Sequence, residues 1–111
     1  MITECTQNDV SPILNVINNA AVKFKGKIPD DCWHEPYMSE QELMNEFKND
    51  VHMFGYRNNK KLIGVMGIQK KKDVILIRHA YTLIQNQGTG VGKSLLKYLM
   101  KKNPSTSFLV G

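Results

Sequence analysis

Three glycines at every second position, Gly88, Gly90 and Gly92, separate an apolar, β-rich run that ends at Leu83 from a helical pattern rich in Leu and Lys. The segment therefore predicts a strand, a tight turn and a helix in that order. Glycine lets a backbone N–H approach an anion without a Cβ in the way, and the first turn of a helix offers unpaired N–H groups at the positive end of its dipole. The stretch thus indicates a phosphate-binding turn.

The spacing of these glycines excludes two common phosphate motifs. Gly-Lys-Ser at 92–94 suggests a Walker A motif, but that motif requires Gly at position 87, where this chain has Gln. The dinucleotide fingerprint G-x-G-x-x-G would require a third Gly at Lys93 or Leu95.

The pattern that does match is Gln-x-x-Gly-x-Gly, from Gln87 to Gly92, preceded by Ala80-Tyr81-Thr82-Leu83 and followed by Leu95-Leu96. It resembles the acetyl-CoA signature, Arg/Gln-x-x-Gly-x-Gly/Ala, of the GNAT superfamily of N-acetyltransferases. The alternative is a Gly-rich turn between strand and helix that binds no ligand.

Length and composition set further limits. The 111 residues suffice for one domain, 1–111, with a modest core. Cys5 and Cys32 lie far apart without C-x-x-C spacing, so neither a disulfide framework nor a metal site is expected. No apolar run approaches the ~20 residues of a membrane span and no signal-peptide core is evident, so we expect a cytoplasmic protein that does not enter membranes.

The net charge of +5 comes largely from small clusters of lysines. No base-reading module or aromatic-rich basic stripe accompanies them, so nucleic acid is not an expected partner, although a small basic RNA- or DNA-binding protein remains a third alternative. A mild basic field would also attract an anionic cofactor.

The periodicity predicts eight elements in the order β-α-α-β-β-β-α-β. Strands are expected at 1–5, 51–57, 62–69, 74–83 and 107–110, and helices from a Thr6 cap to about 25, from a Ser39–Glu42 capping box to about 49, and over 90–102. Short turns make the middle three strands antiparallel, and the crossover rule places the last strand parallel to 74–83. The apolar run Val74–Ile77 predicts that its strand is central and covered on both faces.

This order predicts an α/β (α+β) fold with a mixed, mostly antiparallel central sheet flanked by helices. It is similar to the GNAT fold, which normally adds a further helix and two more strands, so the resemblance implies a domain truncated after the strand that follows the cofactor helix.

The resemblance also implies where acetyl-CoA binds. The backbone of Ala80, Tyr81 and Thr82 would run alongside the pantetheine, and the loop N–H groups would hold the pyrophosphate. The loop residues are Gln87, which heads the motif, followed by Gly88, Thr89, Gly90, Val91, Gly92 and Lys93.

For catalysis, the resemblance implies that an amine attacks the thioester directly, that a backbone N–H near a bulge in the central strand polarises the carbonyl, and that a general base accepts the amine's proton. His79 is the first candidate base, because imidazole titrates near neutral pH and this residue leads into the cofactor site. Glu35 is the second. The alternatives are that His79 is a structural histidine and that Glu35 is a solvated glutamate. The family's last helix, whose tyrosine often protonates the thiolate, has no counterpart here.

Strand alternation predicts that His79 and Tyr81 share one face and that Arg78, Ala80 and Thr82 share the other, unless a bulge resets the phase. The irregular segment 28–38 contains Trp33, His34 and Tyr37, which either line an acceptor pocket or cover the core.

The sequence thus predicts an acetyl-CoA-dependent N-acetyltransferase for a primary amine on an unidentified small molecule or peptide. The alternative is a non-catalytic CoA-binding or interaction module derived from the same fold. In either case the exposed C-terminal strand is a candidate surface for a homodimer.

Overall fold

Five strands form one sheet in the order β1-β2-β3-β4-β5 in the computed structural model, which describes residues 1–24, 26–27 and 36–110. The strands are β1 (Ile2–Glu4), β2 (His52–Asn58), β3 (Lys61–Lys71), β4 (Val74–Thr82) and β5 (Ser107–Val110). Neighbouring strands from β1 to β4 are antiparallel, whereas β4 and β5 are parallel. The predicted fold class and strand directions are confirmed.

Within the described ranges, three α-helices accompany the sheet: α1 (Val10–Ala21), α2 (Glu40–Lys48) and α3 (Val91–Lys102). A capping box of Thr6 and Asp9 begins the 3₁₀ turn that leads into α1, and a second box of Ser39 and Glu42 begins α2. Each box pairs two backbone N–H groups that a helix start would otherwise leave without partners. Both caps were predicted from the sequence.

The core lies on both faces of β3. Its residues from Leu62 to Gln69 are all buried, and because successive side chains point to opposite faces, both faces must be covered. On one face, Val91 and Leu95 of α3 pack against Gly64, and on the other Gln69 reaches the backbone that follows α2. The helices therefore sandwich the sheet.

The prediction that the strand at 74–83 is the covered central strand is wrong. Of the β4 residues only Ile75 is buried, and β3 occupies the middle of the sheet. Apolar content alone could not distinguish the two strands, since both carry runs of β-branched and aliphatic residues. The extent of pairing differs: β3 is paired with β2 and β4 along its length, whereas β5 pairs with β4 only from Val74 to Ile77.

Helix α3 buries Val91, Leu95 and Leu99 at the spacing of one helix face, whereas Met100 is half exposed. Among the described residues, no helix combines the length and apolar character needed to cross a bilayer.

Candidate active site

The loop between β4 and α3 has the backbone conformation that its glycines predict. Gly88 and Gly90 adopt left-handed φ angles of +80° and +89°, which cost a glycine little and other residues considerably more. Apart from the adjacent residues and the backbone of the helix itself, no described atom lies within 4 Å of a Cβ built at Gly88, Gly90 or Gly92. The three glycines therefore leave an open backbone surface rather than filling a packed interior.

The start of α3 faces this open surface without a side-chain cap. The N-cap residue is Gly90, and the first intrahelical bond at this end runs from the Ser94 N–H to the Gly90 carbonyl, at 2.9 Å. The N–H groups of Val91, Gly92 and Lys93 precede that bond and have no intrahelical partner. Together with the helix dipole, they make the loop a favourable place for an anion.

A cleft of about 320 Å³ lies between the end of β4 and the end of α1. Four of its lining residues were predicted to bind the cofactor: Ala80, Tyr81, Thr82 and Gln87. Two further described lining residues, Ala20 and Lys23, come from α1 and the 3₁₀ turn Val22–Phe24 that follows it, and neither was predicted from the sequence as a site residue.

Gln87 joins the two walls of this cleft. Its Nε2 donates a hydrogen bond to the Thr82 carbonyl at 3.0 Å, and its Oε1 accepts one from Lys23 Nζ. Nearby, the Ile84 N–H donates to Asn19 Oδ1 at 2.9 Å. No local sequence signal pairs the end of the first helix with the glycine loop, because the partners lie far apart in the chain.

Strand β4 contains a bulge at the edge of the cleft. Val65 pairs with Tyr81 and Gly67 pairs with Arg78, so β4 contains one residue more than β3 across this interval. His79 lies in the bulge with a left-handed φ of +54°, an uncommon conformation for a residue with a side chain. Opposite, Gly67 provides the room, because a Cβ there would lie 2.9 Å from the Arg78 carbonyl oxygen.

The bulge changes which side chains share a face. Strict alternation separates Arg78 from His79, but both reach Glu46 on α2: Arg78 Nη2 lies 3.9 Å from Oε1, and His79 Nε2 lies 3.2 Å from Oε2. The exception that the alternation prediction allowed for therefore applies here, because the extra residue resets the phase of the strand. Glu46 was not identified as a candidate from the sequence.

Tyr37 is the one predicted substrate residue that lies within the described part of the chain. Its ring packs edge-on against Tyr81, with centroids 6.4 Å apart and an interplanar angle of 73°. Burial raises the pKa of the Tyr81 hydroxyl well above its usual range, and a hydrogen bond with Tyr37 adds to the shift. Trp33, His34 and Glu35 fall outside the described residues, so their predicted roles stay predictions.

The chain resembles known acetyltransferases both in sequence and in fold. A family model for the acetyltransferase (GNAT) domain matches residues 3–107. No curated protein is similar enough in sequence to count as a relative.

Similar folds occur among solved structures of acetyltransferases. The PaiA N-acetyltransferase of Thermoplasma acidophilum, solved with coenzyme A, superposes with a TM-score of 0.74 at 21% identity over 92% of this chain and 72% of its own. The ribosomal-protein-S18-alanine N-acetyltransferase of Escherichia coli gives 0.72 at 16% identity, over 92% of this chain and 57% of its own. A GNAT family acetyltransferase of Brucella melitensis, solved with acetyl-CoA, superposes with a TM-score of 0.70 at 13% identity, over 92% of this chain and 66% of its own.

Proposed function

Because the chain belongs to the GNAT family of acetyltransferases, we propose that it binds acetyl-CoA in the cleft between α1 and the end of β4 and transfers the acetyl group to a primary amine. The observation that carries this proposal is the glycine loop. It leaves an open backbone surface at the N-terminus of α3, beside a cleft lined by the residues that the family signature assigns to the cofactor.

The residues present fit such a cofactor. The N–H groups from Gly88 to Lys93 would hold the pyrophosphate, since the left-handed φ angles of Gly88 and Gly90 and the open space beside the loop let the backbone approach an anion. Lys23 adds a positive charge to the cleft wall. The backbone of Ala80, Tyr81 and Thr82 would lie along the pantetheine. Acetyl-CoA supplies the acetyl group as a thioester.

The bulge in β4 supports a catalytic role for this strand. A bulge redirects backbone N–H groups away from the sheet ladder, and beyond Ile77 the described part of β5 provides no partner for β4. A freed N–H at this point could donate to a carbonyl oxygen that develops negative charge. His79, in the bulge itself, is the candidate base for the acceptor amine.

Calorimetry tests the binding claim. The protein is titrated with acetyl-CoA, and separately with ATP and Mg²⁺, at moderate salt. We expect micromolar binding of acetyl-CoA and none of ATP, because the loop does not match a Walker A motif. Binding of ATP alone, or of neither ligand, would overturn the proposal.

Turnover tests the chemistry. Release of the CoA thiol is followed with a panel of amines that includes a polyamine, free lysine and a peptide that begins with alanine. The peptide is included because one solved neighbour is named for acetylating the alanine of a ribosomal protein. Acetylation of any member supports the enzyme, whereas tight acetyl-CoA binding without turnover supports the non-catalytic module.

We also propose that β5 pairs with a second copy of the chain. Among the described residues β5 has one neighbouring strand, β4, and Leu109 and Val110 are 52% and 86% exposed. Unpaired strand edges with apolar side chains favour association. Light scattering that gives a monomer mass at tens of micromolar would contradict this proposal. The cellular compartment and the absence of nucleic-acid binding stay predictions.

A further inference from the structure

Glu46 on α2 and His79 in the bulge of β4 form a largely buried pair. Their side chains are 21% and 18% exposed, and Glu46 Oε2 lies 3.2 Å from His79 Nε2. A second pair, His52 with Glu4, has the same two residue types at 3.1 Å, but its side chains are 52% and 53% exposed. Solvent screens the exposed pair much more strongly than the buried one.

The two facing atoms are shielded from solvent. Their orientation departs from that of a good hydrogen bond, and neither Glu46 Oε2 nor His79 Nε2 makes a hydrogen bond to any described residue. Buried polar atoms of this kind are uncommon, because each forfeits its hydrogen bonds to water. The two atoms lie 3.2 Å apart, within hydrogen-bond distance, so each is a potential partner for the other.

A chain of polar contacts orients the carboxylate. Gln69 Nε2 donates a hydrogen bond to the Asn49 carbonyl at 2.8 Å, and Arg78 Nη1 donates one to Gln69 Oε1 at 3.1 Å. Arg78 Nη2 in turn faces Glu46 Oε1 at 3.9 Å. One carboxylate oxygen thus faces the guanidinium, and the other is left for the imidazole.

We propose that Glu46 is a positioning residue for His79, an inference that rests on the proposed acetyltransferase function. The carboxylate holds the proton of neutral His79 on Nε2 and leaves Nδ1 as the basic nitrogen. A proton then moves from the acceptor's ammonium group to Nδ1, and the resulting imidazolium is stabilised by the negative charge of Glu46. The same logic orients the histidine of a catalytic triad.

Several charged groups surround this pair. Arg78 contacts Glu46 directly, while Lys48, Asp50 and Lys71 line the adjoining cleft of about 520 Å³ between α2 and the sheet. Helix α1, which also packs on β4, carries no titratable side chain from Val10 to Ala21. Of the charged groups named here, only Arg78 contacts Glu46 directly.

The first test uses wild-type protein and needs no acceptor. Imidazole ¹⁵N shifts of ¹⁵N-histidine-labelled protein identify the nitrogen that carries the proton when His79 is neutral. We expect the Nε2–H tautomer, and a mixture of tautomers in Glu46→Gln. The matched control, Glu4→Gln, alters the exposed pair and should leave the His79 signals unchanged. The Nδ1–H tautomer in the wild type would overturn the proposal.

The second test measures kcat and KM with any amine that the enzyme acetylates. Glu46→Gln should lower kcat by about tenfold or more, because the imidazolium loses its counter-charge. KM for acetyl-CoA should not change, and Glu46→Asp should recover part of the loss. An unchanged kcat in Glu46→Gln would overturn the proposal. Absence of any turnover in the wild type would instead count against the proposed function, and the tautomer measurement would still decide the role of Glu46.

Discussion

Lys23 Nζ donates a hydrogen bond to Oε1 of Gln87, a residue 64 positions further along the chain. The contact joins the end of the first helical segment to the residue that heads the glycine motif. Since Gln87 also donates to the Thr82 carbonyl, one side chain connects the strand end, the loop and the helix. The geometry of the cleft thus depends on a lysine that belongs to none of the recognised motifs.

Lys23→Met should weaken acetyl-CoA binding by about tenfold, because a charge-assisted hydrogen bond and a positive charge are lost together. Calorimetry measures the effect, and a shallower dependence on salt should accompany it. Lys72→Met is the control, because Lys72 lies on the turn at the other end of β4. Equal losses in the two variants would contradict the placement of the cofactor.

Gly92→Asp should weaken acetyl-CoA binding without destabilising the fold. The position lies in the first turn of α3, where a carboxylate stabilises a helix by about 0.3–1 kcal/mol. The same charge should repel a pyrophosphate, so we expect an unchanged or higher Tm with at least tenfold weaker acetyl-CoA binding. Gly92→Ala, which adds a methyl group without charge, should bind nearly as well as the wild type. If Gly92→Asp binds normally, the loop does not hold the phosphates.

Gly64→Ala should destabilise the protein, because the added methyl would collide with the Val91 side chain at the start of α3. Overpacking of this kind typically costs about 1–3 kcal/mol, which urea denaturation can measure as a lower midpoint at constant slope. Gly92→Ala is again the matched comparison, since nothing lies within 4 Å of its Cβ. It should be neutral or stabilising by up to about 1 kcal/mol. A neutral Gly64→Ala would show that α3 does not pack closely on β3.

Asp9→Asn should make stability less dependent on pH. A hydrogen bond from the Thr6 backbone N–H and a second from Arg57 hold the pKa of Asp9 below its ordinary value of 3.8, against the opposing effect of burial. A carboxylate with a lowered folded-state pKa contributes stability above about pH 4, and loses it as the pH falls through the folded value. The free energy of unfolding of Asp9→Asn should therefore be about 1 kcal/mol lower at pH 7, and the difference should disappear in acid.

The control for this prediction is Asp73→Asn, since Asp73 is exposed on the turn between β3 and β4. A difference between wild type and Asp9→Asn that persists unchanged to pH 2 would indicate that packing, rather than charge, explains the loss.

Local signals account for what the sequence could predict. The capping boxes at Thr6 and Ser39, the periodicity of α3 and the spacing of Gly88, Gly90 and Gly92 each involve residues within one or two turns of each other. Their physical causes, unpaired N–H groups, a shared helix face and left-handed φ angles, require no tertiary information.

Contacts between residues that are far apart in the chain explain the features that the sequence alone could not predict. The bulge at His79 depends on the register of β4 against Gly67, and the reach of Glu46 depends on how α2 packs on the sheet. The sequence could not distinguish Lys23 from the other lysines as a site residue, because its partner Gln87 comes close only when the chain folds. Similarly, β3 rather than β4 is the covered strand, because burial depends on how far the neighbouring strands extend and not on apolar content alone.

The most direct test of the account follows the backbone amides of ¹⁵N-labelled protein during titration with acetyl-CoA. We expect the largest shift changes from Gly88 to Lys93 and from Ala80 to Thr82, with little change at the turn that contains Lys72. Changes concentrated instead around His52 and Lys102, which line a separate cleft, or no changes at all, would contradict the assignment of the glycine loop as the cofactor site.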